Sequence, residues 1–143
     1  MEHFLGPIPT DNEVRRLLSG ARFTPDPRAL AAVTILLSLG VDLGVVRQLR
    51  WHCLDIKSRT LRTSRVGTAP VSITNLLIRQ LFAIPRSNSS GRIFGKYKTK
   101  SPSIDLLLKR TLISSGLSIY RCNDFVRWSR KQTPAIRLSV ATP

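Results

Sequence analysis

The chain has 143 residues and 42% hydrophobic content, enough for one domain of ordinary size with a buried core, which excludes a disordered tail or a collagen-like fibre. Its 23 Lys and Arg against 8 Asp and Glu leave +15, so the composition points to polyanions as the partner class. The charge is uneven: four cations face five acids through Val46, a net of −1, whereas nineteen face three from Arg47 onward, a net of +16.

Thr10 followed by Glu13 is a capping box, and Val14, Leu17 and Leu18 form a helical stripe with Gly20 as its expected stop. Asp26 as N-cap and Pro27 at the first helical position announce a core helix over 29–39, ended by Gly40. That apolar stretch is interrupted by Thr34 and Ser38 and falls well short of the roughly 20 residues that span a bilayer. Asp42 is placed to cap a third helix with Leu43, Val46 and Leu49 inward, Arg47 and Arg50 outward, and Trp51 closing the core. Short runs at 53–56, 60–64 and 70–73, separated by polar breaks, predict a small antiparallel meander.

Thr74 then caps a helix carrying Leu76, Leu77 and Leu81, and 85–91 is a polar loop. Residues 92–94 are expected to bury Phe94 from a short strand or turn, and 95–100 to form a basic loop. Ser101 as N-cap and Pro102 at the first position predict a helix with Ile104, Leu107, Leu108 and Leu112 on one face, stopping at Gly116. A last helix is expected within 117–131, holding Phe125 and Trp128, and from Gln132 the tail is expected to fray. The result is a single domain over 1–143, with a core over 9–131 and a flexible tail over 132–143. It is mainly α with a small three-stranded antiparallel sheet, an α+β class.

The two cysteines, Cys53 and Cys122, have no metal-ligand spacing, and His3 and His52 are the only histidines, so reduced thiols, no metal and no cofactor are expected. Pro7, Pro9, Asp11 and Glu13 occupy the place where a secretory signal would have its apolar region. The expected location is the cytoplasm, a nucleoid or a nucleus, neither secreted nor in a membrane.

Three segments in order carry a family likeness. The stretch from Gly40 through Asp42 and Arg47 to Leu49-Arg50-Trp51 is followed by the meander over 56–73. Then come Arg92-Ile93-Phe94, a basic loop, a helix, and Gly116-Leu117. Over about 9–130 this order resembles the catalytic domain of the tyrosine recombinases, the phage-integrase family. The resemblance implies that fold and the chemistry of a tyrosine attacking a DNA phosphate, with two arginines, a lysine and histidines stabilising the phosphorane.

Position by position, the family's groups are mostly missing. Asp42 stands at the first arginine position, reversing the sign of the interaction, and one lost donor of that kind costs on the order of 3 kcal/mol in the barrier. The hairpin lysine is matched by Arg65, which holds phosphate but is a poor proton donor. The His-x-x-Arg slot holds Tyr120 and Asn123 in an ungapped alignment, or Arg127 as the arginine with a one-residue bulge; both alignments stand open. The two tyrosines, Tyr97 and Tyr120, precede the place of the nucleophile, and 128–143 contains none. The resemblance thus implies the fold and argues against the reaction, and no catalytic residue is assigned.

The candidate nucleic-acid-binding residues are Arg47, Arg50, Lys57, Arg59, Arg62 and Arg65 on the third helix and meander, and Lys96, Lys98 and Lys100 in the loop, where Tyr97 could stack on a base. Arg121, Arg127, Arg130 and Lys131 near the last helix complete the set. Duplex DNA is the expected partner and RNA the alternative. The expected function is a non-catalytic DNA-binding protein, an accessory factor of a mobile element. Two alternatives are an active or split recombinase whose tyrosine comes from another chain, and a basic structural protein of an RNA-rich or virion assembly.

Overall fold

The computed structural model describes residues 6–63, 69–86 and 91–142. Among them the chain forms α1 (Asp11–Phe23), α2 (Pro27–Leu39), α3 (Leu43–Gln48), β1 (Leu54–Asp55), β2 (Thr60–Leu61), β3 (Val71–Ser72), α4 (Asn75–Phe82), α5 (Ile104–Ser114), α6 (Cys122–Arg130) and α7 (Pro134–Val140). The class is as expected, mainly helical with one small antiparallel sheet of order β1-β2-β3.

The centre of the fold is α2, which is apolar around nearly its whole circumference and therefore has to be buried on every side. Ala29, Ala31, Ala32, Val33, Ile35, Leu36 and Leu37 are all at most 1% exposed. Helices α1, α4, α5, α6 and α7 pack around it. Asp26 caps its start by accepting from the Arg28 N–H at 3.1 Å, and Gly40 ends it in the left-handed region at φ 64°, where a Cβ would be strained. The sheet pairs Leu54 with Leu61 and Leu61 with Val71, so Leu61 on the middle strand is the residue that drives the meander into the core. In the β1–β2 turn Arg59 has φ 54°, the one non-glycine residue with positive φ among those described.

Several boundaries differ from expectation for physical reasons. Gly20 does not stop α1. It lies where α1 meets α5, and a methyl group there would sit 1.9 Å from Ser115 Oγ, so the glycine serves close helix approach. The cap of α5 is Ser103, whose Oγ accepts from the Leu106 N–H at 3.2 Å, while Ser101 turns back to accept from the Lys98 N–H at 3.1 Å. Helix α6 begins only at Cys122, because Gly116 reverses the chain at φ 72° and Leu117 and Tyr120 close turns behind it. The tail expected to fray from Gln132 instead contains α7, with Thr133 as N-cap and Pro134 in its first turn. It is held by packing against α2 and by a hydrogen bond from Thr74 Oγ1 to the Ala141 carbonyl, with Ala141 buried.

Candidate functional site

The N-terminal end of α3, the outer face of α5 and the start of α6 enclose a concavity of about 710 Å³. Its lining includes Asp42, Leu43, Lys109, Leu112, Tyr120, Arg121, Cys122, Asn123, Arg127 and Arg130. Three of the four positions that the sequence resemblance picks out, Asp42, Tyr120 and Asn123, therefore converge on one hollow, although about eighty residues separate the first from the others. The fourth, Arg65, lies outside the described residues.

Each of these residues is engaged. Asp42 occupies the N-cap position of α3, but its carboxylate makes no capping bond and meets Arg130 Nη2 at 3.3 Å. The expected cap is instead supplied from α6, where Asn123 Oδ1 accepts from the Leu43 N–H at 3.2 Å. Tyr120 is buried against Phe125, edge to face at 5.5 Å, and donates to Glu13 Oε1 at 2.8 Å. That bond to a carboxylate, with burial added, raises its phenol above the ordinary value, which keeps the proton on oxygen. Arg127 Nη2 donates to Asp124 Oδ1 at 2.6 Å and to the Gly6 carbonyl at 2.8 Å. Burial pushes the Cys122 thiol up to about 11, aided by Asp105 and Asp124, so it stays a thiol at neutral pH. The cations Lys109 and Arg121 face the same hollow and are exposed.

The other candidates lie outside that lining. Arg47 leaves α3 and pairs with Asp105 at 2.7 Å, both about half exposed. Lys57 and Arg59 occupy the β1–β2 turn, and Arg62 follows buried Leu61, so strand alternation sends it outward. Arg50 is paired in an isolated antiparallel bridge with Arg92. Lys131 is exposed just after α6.

Lys96, Lys98 and Lys100 are exposed on a loop whose ends one buried side chain gathers. Arg28, 0% exposed, donates to the carbonyls of Phe94 at 3.2 Å, Gly95 at 3.4 Å and Pro102 at 2.8 Å, and grips Asp26 with Nε and Nη2. The Tyr97 ring lies 5.2 Å from the Arg28 guanidinium carbon. Lys98 Nζ lies 5.7 Å from the same ring, so Tyr97 sits among cations of its own loop and of α2. Burial raises the Asp26 carboxyl, but the Arg28 side chain, the Arg28 N–H and their charge outweigh it and hold the group below the usual carboxylate range. Arg28 was missed in the sequence because arginine after an N-cap normally reads as surface.

Among the described residues all seven carboxylates are engaged within the chain. Asp26, Asp42, Asp105 and Asp124 meet arginines, Asp11 accepts from Trp128 Nε1, Glu13 serves Thr10 and Tyr120, and Asp55 accepts from the Ser58 N–H. No described cluster of His, Cys, Asp or Glu has metal-binding geometry, and no described helix is long and apolar enough to cross a membrane.

The sequence matches no protein-family model and no curated protein. Among solved structures, the chain is similar to the crystal structure of XerA recombinase, with TM-score 0.66 and 13% identity. The match covers 98% of this chain and 56% of that one, so the chain spans little more than half the recombinase's length. At this identity the likeness speaks to architecture: the fold is similar to that of a tyrosine-recombinase domain.

Proposed function

We propose that the protein binds duplex DNA through backbone contacts without cutting it, as a non-catalytic accessory factor of a mobile element. The reading rests on Asp42, which occupies the concavity where the resemblance would put a phosphate-holding arginine and which pairs there with Arg130. A carboxylate in that place repels a phosphate, and the Tyr120 hydroxyl in the same lining is engaged in donating to Glu13, which holds its proton. DNA as partner is supported by the fold's likeness to a recombinase domain and by +15 in a chain whose described acids are already engaged internally. Arg62, Arg65, Lys96, Lys98, Lys100, Lys109 and Arg121 supply cations for phosphate contact.

The test is duplex binding followed across salt. Affinity is expected to fall steeply between about 50 and 200 mM salt, and Arg62→Glu and Arg65→Glu each to weaken it. A nicked suicide substrate is expected to leave no covalent adduct; an adduct overturns the non-catalytic reading in favour of an active or split recombinase. Tighter binding of structured RNA than of duplex DNA moves the role to an RNA-rich assembly.

A further inference from the structure

We propose that the loop over 95–102 is a preordered surface for the DNA backbone and that buried Arg28, which itself meets no solvent, is its positioning residue; the choice of DNA rests on the function proposed above. The Arg28 guanidinium ties three places together. Nε and Nη2 hold the Asp26 carboxylate at 3.1 and 2.7 Å, Nη1 donates to the Phe94 and Gly95 carbonyls where the loop begins, and Nη2 donates to the Pro102 carbonyl where it ends. A planar fork with donors on three nitrogens spans these groups, which a single ammonium cannot do. At 0% exposure its charge is used wholly inside the protein.

The six residues between Gly95 and Pro102 are fixed from within as well. The Lys98 N–H donates to Ser101 Oγ and the Ser101 N–H to the Lys98 carbonyl, both at 3.1 Å. The Tyr97 hydroxyl bonds to the Asp26 carboxylate, and the Tyr97 ring lies 5.2 Å from the Arg28 guanidinium carbon. One internal cation, one acid and one aromatic thus order a segment that contains neither helix nor strand. Along it Lys96, Lys98 and Lys100 are exposed, and none of the described acids makes a salt bridge with them. Three ammonium groups within five residues give a dense positive edge. Lysine is a point charge without a directional fork, which suits phosphates met along a backbone better than the edge of one base. Fixing a mobile loop on DNA costs conformational entropy, whereas here the order is present before contact.

The experiment measures duplex affinity against salt concentration, beside hydrogen exchange of the loop amides, for variants that circular dichroism shows to be folded. Lys96→Gln, Lys98→Gln and Lys100→Gln combined are expected to weaken binding about a hundredfold at about 100 mM salt and to lower the salt slope by about two to three. Arg28→Lys keeps the charge and loses the fork. It is expected to speed exchange over 95–102, weaken binding about tenfold and lower the slope by about one. Added to the triple lysine variant, Arg28→Lys should bring no further loss, because Arg28 acts through those lysines. Ser101→Ala, which cuts only the tie to Lys98, should lose about threefold and carries the same test if Arg28→Lys does not fold.

A triple variant that binds like wild type, or an Arg28→Lys variant whose loop loosens without loss of affinity, overturns the proposal while leaving DNA binding intact. So does an Arg28→Lys loss that is as large in the triple variant as in wild type, since Arg28 would then support the fold at large. Absence of duplex binding by wild type at low salt removes the DNA-binding proposal and this surface with it.

Discussion

The concavity and the Arg50–Arg92 bridge use the same residue type in opposite ways. In and around the concavity, arginines are counterions: Arg130 meets Asp42, Arg127 meets Asp124 and Arg47 meets Asp105. At the bridge, arginine is set against arginine. The hollow's acids are matched by arginines, while Lys109 and Arg121 stand exposed beside those pairs.

The sharpest way to break the comparison is at Arg28, a counterion that is fully buried rather than half exposed. Arg28→Met leaves Asp26 without its partner and three carbonyls without their donor, and is expected to lower unfolding stability by about 3–5 kcal/mol, read by urea denaturation. The lysine loop should loosen with it, seen as faster hydrogen exchange over 95–102.

Acid separates the same two kinds of pair by degree. The Asp26 carboxyl is held below its ordinary value in the folded chain, and so is that of Glu13, chiefly by the Thr10 N–H and then by the Tyr120 hydroxyl. A lowered folded pKa means that this stabilisation is complete above the unfolded value of about 4 and is lost as pH falls through the folded one. Urea midpoints should therefore be flat near neutrality and drop below pH about 4, with a shallower drop in Arg28→Met.

The smallest effect belongs to the exposed pair. Asp42→Asn releases Arg130, and since the two side chains are 51% and 56% exposed, stability should change by less than about 1 kcal/mol. Duplex affinity should rise and the salt slope steepen, since a repelling charge is removed and a cation freed; unchanged affinity would mean that DNA never approaches the hollow.

Much of the scaffold was legible because it is written locally. Thr10 with Glu13, Asp26 with Pro27, and Thr74 each cap the helix their spacing predicts, and the turn residues between apolar runs mark a three-stranded meander. What was misread depends on partners far away in sequence. Gly20 looks like a stop and is a contact with Ser115; Asp42 looks like a cap, yet Asn123 does the capping from eighty residues on. Helix α7 was missed because only seven residues with exposed Ile136 and Leu138 give no clear stripe, and its order comes from α2 and Thr74. That Asp42, Tyr120 and Asn123 share one hollow needed the fold, because chain order alone does not bring α3 to α6.

Arg59 carries a consequence of its own. A residue with φ 54° would be more comfortable as glycine by about 1 kcal/mol, and glycine's extra freedom in the unfolded chain offsets part of that gain. Glycine there would ease the backbone and remove a cation, so stability and charge make opposite demands on this single position. Laboratory hardening of the protein would tend to bleach that corner of its charge first.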